Sequence, residues 1–153
     1  MHTQHPPAVF PDDERYMREA IKQALISFEE DEIPVGAVVV CEGRIIAKAF
    51  NQTEKLKDPT AHAEMLAITA ATHYLGTKYL RSCCLYVTLE PCTMCAGALY
   101  WSQIGRVVYG ASDEKRGYSL MGKPVLHPKT ELVRGVLAQE SGELLKRFFQ
   151  NLR

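Results

Sequence analysis

No apolar run in this chain of 153 residues reaches membrane length. The longest, VGAVVVC at residues 35–41, falls far short of the ~20 residues a spanning helix needs. The opening residues, MHTQHPPAVFPDDE, have neither the basic start nor the apolar middle of a secretory leader, which predicts a cytoplasmic protein with no membrane partner. Excess charge is also lacking: 18 basic and 18 acidic residues leave a formal net charge of zero, so bulk attraction to nucleic acid is excluded and only a local patch could supply it. Lys115, Arg116, Lys123, Lys129, Lys146, Arg147 and Arg153 would have to gather in space to make one. Five cysteines, an odd number without an even framework, exclude a disulfide scaffold in a reducing compartment and read as core thiols or metal ligands. What is present, 46% apolar residues, suffices for one core. A single domain over 1–153 is expected, with about 1–11 a loose N-terminal segment.

Residues 11–30 place Tyr16, Met17, Ala20, Ile21, Ala24, Leu25 and Phe28 at helical spacing, behind Pro11 and an acidic start suited to a helix N-terminus. VGAVVVC and RIIAKAF flank Glu42 and Gly43 and read as a hairpin whose first strand is buried on both faces. NQTEKLKDPT reads as a polar loop, a helix is expected from about Thr60 to Leu75, and Gly76 stops it. CLYVTL is a strand running into EPCTMCAGALYWS, where Pro91 suits a first helical turn. GRVVYGA and ELVRGVL are further strands around the loop DEKRGYSLMGKPVLHPKT, and SGELLKRFFQNL is a closing amphipathic helix. Alternating helices and strands imply α/β layers on a central five-stranded sheet, mixed because it opens with a hairpin.

Cys92 and Cys95, three apart at a helix start, sit where backbone N–H groups and the positive dipole end favour thiolates. His62, at another helix start, is the candidate third ligand. Three protein ligands leave the fourth tetrahedral position open, which is the catalytic zinc pattern. Cys83 and Cys84 begin a strand whose length puts them at the wrong end, and Cys41 among valines reads as a core thiol. Two thiolates and an imidazole leave a zinc ion formally neutral and still a Lewis acid. Glu64, two residues after His62, then has a purpose: it is no ligand but a proton carrier between water and a substrate nitrogen. Both side chains can reach one site only by leaning past the helix end.

The pattern His-x-Glu followed by Pro-Cys-x-x-Cys resembles the zinc-dependent nucleobase deaminases. IPVGAVVV, DPTAHAEMLAI, LYVTLEPCTMCAGAL and GRVVYGA are similar to the bacterial tRNA-specific adenosine deaminases within that group, and the likeness covers almost the whole chain. The resemblance implies a three-layer α/β/α cytidine-deaminase-like fold, one Zn2+ per chain on His62, Cys92 and Cys95, and Glu64 as the catalytic proton carrier. It implies hydrolytic conversion of the wobble adenosine of a tRNA anticodon stem-loop, an arginine tRNA, to inosine by a homodimer. Asn51 would hydrogen-bond the purine, the backbone amide of Ala63 would help fix the base, and Asp113 would lie near the flipped nucleotide. Guanine and cytosine deaminases share the zinc motif, and Tyr100 and Trp101 resemble aromatics of guanine deaminases. By default these two rings pack along a helix face, and Phe148 and Phe149 lie on an amphipathic face. A non-catalytic zinc module binding RNA is the alternative of another class, against which the retained Glu64 speaks.

Overall fold

The computed structural model describes residues 8–152. Its elements are α1 (Asp13–Glu29), β1 (Gly36–Cys41), β2 (Arg44–Phe50), α2 (Thr53–Leu56), α3 (Ala63–Leu75), β3 (Cys83–Leu89), α4 (Thr93–Ser102), β4 (Arg106–Ala111), a 3-10 turn (Tyr118–Met121), β5 (Glu131–Val133) and α5 (Ala138–Asn151). The strands form one mixed sheet in the order β2-β1-β3-β4-β5. β1 is antiparallel to β2 and to β3, while β3, β4 and β5 are parallel. β2 therefore points the same way as the parallel three, and the carboxyl ends of four strands share one sheet edge. Open α/β sheets hold their ligands at that edge.

Two cores follow from the alternation of side chains along the strands. On one face Ala37, Val39, Leu85, Val87 and Val107 pack with Ala63, Ala67 and Ala71 of α3 and Leu99 of α4. On the other, Val38, Val40, Tyr86 and Val108 meet Tyr16, Met17 and Ala20 of α1. α5 joins this second layer through Phe148, whose ring meets Phe28 edge-on at 6.1 Å. The result is the α/β/α sandwich that the resemblance implies. β1 is buried along its whole length, as its unbroken apolar run requires. Gly36 is obligatory for another reason: a Cβ there would collide with the backbone of Ala20 and Ala24, so α1 lies directly on the sheet.

The α1 layer also buries a charge pair. Arg106 donates to both carboxylate oxygens of Asp13, at 2.7 and 2.8 Å, and the Tyr86 hydroxyl donates to Asp13 at 2.6 Å. Burial works to raise the Asp13 pKa, but the hydrogen bonds from Arg106, Tyr86 and the Phe10 amide outweigh it and hold the carboxyl below its usual value. Arg106 further donates to the Ala8 carbonyl and lies 4.2 Å over the Phe10 ring.

Four sequence expectations change. Of the segment 1–11, residues 1–7 lie outside the described residues, but Ala8 and Phe10 are tied down by Arg106. The loop 51–60 contains the helical turn α2. β5 stops at Val133 instead of Leu137, because Gly135 (φ +79°) and Leu137 (φ +53°) take left-handed backbone that no strand accepts, and α5 starts at Ala138. Tyr100 and Trp101 do not pack inward: Trp101 is 75% exposed, and Tyr100 touches only Trp101 and His127 among aromatic neighbours.

Candidate active site

The strand ends deliver the site. After β2 the chain passes Asn51 and α2 into a turn in which Asp58 accepts from the Thr60 amide at 2.8 Å and hydroxyl at 2.7 Å. It then reaches His62, which is extended (φ −70°, ψ 152°) and precedes α3 as its N-cap. The difficulty of two side chains at i and i+2 therefore dissolves, since only Glu64 is helical. β3 ends at Leu89, and Cys92, also extended, is the N-cap of α4 with Cys95 in the first turn. Pro91 thus stands before the cap and not inside the helix. Neither cap uses its side chain to satisfy the helix, so the first-turn N–H groups and the dipole of both helices act on the cluster between them.

His62, Cys92 and Cys95 offer one ligand atom each, all within 4.8 Å of one another, and they form the one such group of three among the described residues. Nδ1 of His62 is 3.6 Å from Sγ of Cys92 and 3.5 Å from Sγ of Cys95. Bond lengths of about 2.3 Å to sulfur and 2.0–2.1 Å to nitrogen in a tetrahedral zinc site put those ligands about 3.6 Å apart, so the donor set fits zinc in type and in spacing. A hydrogen bond from Cys95 pulls the Cys92 thiol down to about 4, with His62 adding to the effect. The same contact pushes Cys95 up, and Cys92 in turn raises His62.

Glu64 is not in that group of three, and it is 4% exposed. Burial pushes its carboxyl up to about 7. A group balanced between acid and base at neutral pH can both take and give a proton. Asn51 is buried; its amide Nδ2 donates to the Ile33 carbonyl at 3.2 Å, while Oδ1 has no partner. Ala63 and Asp113 line the same cleft as Asn51, His62, Glu64 and Cys92. Cys41, Cys83 and Cys84 lie away from it, at the far ends of β1 and β3, and Cys41 and Cys83 are buried in the core.

The cleft encloses about 1260 Å³ and runs outward between α2 and the loop after β4 to Leu145, Lys146 and Phe149 of α5. Of the seven basic side chains singled out in the sequence, Lys115, Arg116 and Lys146 gather at the cleft, joined by Lys57; Arg147 instead lies 5.6 Å over the Phe28 ring, and Arg153 lies outside the described residues. Phe148 is buried while Phe149 is half exposed on the cleft wall.

Two buried carboxylates escaped the sequence reading. Glu32 accepts the backbone amides of Glu54 and Lys55 at 3.0 and 2.9 Å, fixing the start of α2. Glu90 accepts the Asp113 amide at 3.2 Å and, through its other oxygen, the Ser119 amide at 3.1 Å and hydroxyl at 2.7 Å. For Glu90 the available signal was position, a lone charge between an apolar strand and Pro91; Glu32 closes the acidic run 29–32 and gave none.

The comparisons with known proteins agree with this geometry. The chain is 48% identical over 145 residues to the tRNA-specific adenosine deaminase of Aquifex aeolicus, covering 92% of this chain and 95% of the relative. A solved structure from work on A-to-I editing by tRNA:A34 deaminases superposes with a TM-score of 0.80 at 41% identity, over 85% of this chain and 98% of the other. The guanine deaminase of Bacillus subtilis superposes with a TM-score of 0.64 at 37% identity, over 75% and 77% of the two chains. The family described as the cytidine and deoxycytidylate deaminase zinc-binding region matches residues 11–111, the stretch that carries both helix caps and the strands that aim them, and the chain belongs to that family.

Proposed function

We propose that the chain is a zinc-dependent hydrolytic deaminase that converts the wobble adenosine of a tRNA anticodon to inosine. The observation that carries the substrate is the 48% identity, over nearly the whole of both chains, with a tRNA-specific adenosine deaminase. The size of the cleft supports it. At about 1260 Å³ it exceeds the ~300–1,000 Å³ of ordinary small-molecule pockets, and it continues well past the buried end where one base would sit.

In this reading His62, Cys92 and Cys95 hold one zinc ion, which supplies a Lewis acid that makes hydroxide available at neutral pH. Glu64 takes one proton from the attacking water and gives it to the purine ring nitrogen, then carries the second, from the newly attached hydroxyl, to the departing amine. A C–O bond replaces the C6–N bond, water is consumed and ammonia leaves. Asn51, with Nδ2 committed to Ile33 and Oδ1 unpaired, orients the base through that oxygen. The amide of Ala63 helps fix it, and Asp113 meets the flipped nucleotide at the mouth. Lys57, Lys115, Arg116 and Lys146 meet phosphates. The resemblance points further to an arginine tRNA, a homodimer and a cytoplasmic location. The exposed Tyr100, Trp101, Leu120 and Met121 supply apolar surface suited to a subunit contact.

A free-base substrate is the second reading, favoured by the likeness to guanine deaminase. Ammonia release and base conversion by the purified protein decide between them, comparing an arginine tRNA anticodon stem-loop with free guanine, cytosine and adenine. Inosine in the stem-loop alone is the expected result. Xanthine from free guanine, with the RNA untouched, overturns the substrate and leaves the zinc chemistry standing.

A further inference from the structure

Glu90 is buried, lines the cleft one residue past β3, and no step of the deamination uses it. Three donors converge on its carboxylate: the amides of Asp113 and Ser119 and the hydroxyl of Ser119. A carboxylate only accepts, and every contact here asks it to accept; a glutamine could keep its oxygen on Ser119 but would turn its amide nitrogen toward the Asp113 N–H, donor against donor. The loop wraps the acid closely, because a Cβ on Gly117 would collide with the Glu90 carboxylate and the Asp113 carbonyl. The next residues complete the grip. The Pro91 carbonyl accepts the Tyr118 amide at 2.9 Å, and Cys92 pairs with Gly117 in an isolated antiparallel bridge. Three consecutive residues, 90 to 92, thus clasp the loop 113–119, and the third of them belongs to the metal-binding cluster. The loop in return carries Asp113, Lys115 and Arg116 to the cleft that His62 also lines.

We infer that Glu90 is a positioning residue: it fixes the loop 113–119 against the start of α4 and so sets where the loop's side chains meet the substrate relative to the reactive centre. The substrate half of this inference rests on the proposed function, whereas the anchoring half does not. The hydrogen bonds of its carboxylate all go to the loop and none to His62, Cys92, Cys95 or Glu64, so its loss should loosen substrate capture while leaving the chemistry in place.

The test combines amide hydrogen exchange with steady-state kinetics on the stem-loop for E90Q, S119A and the wild type, each with its zinc content measured. In E90Q, exchange at residues 113–119 should accelerate by about tenfold or more while α3 and β3 amides keep their protection. KM should rise about tenfold with kcat changed far less, and zinc should stay at one per chain. S119A, which removes one of the three bonds and keeps the charge, should move both readouts the same way by a smaller factor. Unchanged exchange at 113–119 in E90Q overturns the anchoring, whatever the substrate proves to be. A mobilised loop with unchanged KM overturns the substrate half alone. A uniform loss of protection through the chain, with kcat and zinc falling together, marks Glu90 as a general structural residue and also overturns the inference. Should E90Q fail to fold, S119A and G117A, whose added Cβ pushes the loop away from the same carboxylate, carry the same two readouts.

Discussion

Asp13 and Glu64 are both buried carboxylates, one on each face of the same sheet, and the protein treats them in opposite ways. Asp13 receives a two-pronged hydrogen bond from Arg106, another from Tyr86 and an amide from Phe10, and its pKa falls. Glu64 is given no cation of its own, and burial raises its pKa to about 7. The first arrangement binds the N-terminal segment, α1, β3 and β4 together. The second keeps a proton available at neutral pH, at some cost in stability. Burial alone thus predicts neither role; the supply of partners does.

The sharpest way to break this contrast is E64Q. Turnover of the stem-loop should drop by ~10² or more, the loss expected when a general acid/base is removed. Zinc content should hold at one per chain, and the thermal midpoint at pH 8 should not fall, because the variant no longer buries a carboxyl that ionises near 7. A destabilised E64Q would mean that the carboxylate is a structural partner like Asp13. D13A should do the reverse. Urea unfolding should show a loss of ~3–5 kcal/mol, the usual penalty for leaving a buried cation without its partner, with kcat on the remaining folded protein little altered.

Acid sharpens the contrast further. The folded-state pKa of Asp13 lies below the reference value of 3.8, so its contribution is fully present above that pH and is lost as pH falls through the depressed folded value. The stability gap between the wild type and D13N should therefore be constant from neutral pH down to about 4 and close below it, followed by thermal melts in steps of half a pH unit. A gap unchanged to pH 2 would remove the ionised Asp13 from the account. The smallest effect belongs to W101A. An indole 75% exposed should shift monomer stability by no more than ~0.5 kcal/mol, whereas in the proposed homodimer, with α4 in its contact, the dissociation constant measured by sedimentation should rise. A large loss of monomer stability would restore the inward packing that the sequence suggested.

Where the sequence was legible, the chemistry was local. His62 and Glu64 are separated by one residue, and Cys92 and Cys95 by two, so each pair announces itself without knowledge of the fold. Helix caps, strand runs and Gly76 follow from the same short-range rules. The misreadings are of another kind. Whether Leu137 continues a strand depends on left-handed backbone at Gly135 and at Leu137 itself, which residue type barely signals in a leucine. Glu32 and Glu90 bond to backbone amides 22 to 29 residues distant, and an amide carries no side-chain signature to search for. Trp101 sits on a helix with no clear apolar face, so periodicity could not say which way it points.

The gathering of four strand ends on one sheet edge has a consequence for redesign. The donors for the metal sit at the starts of two helices, while the walls of the cleft come from α5 and from α2 and the loop after β4, the last two each joined to the scaffold by its own buried carboxylate. Reaction and selectivity are therefore carried on separate parts. Libraries confined to the walls can explore new substrates without touching the reaction, provided Glu32 and Glu90 are left alone as the fixed points about which those walls are varied.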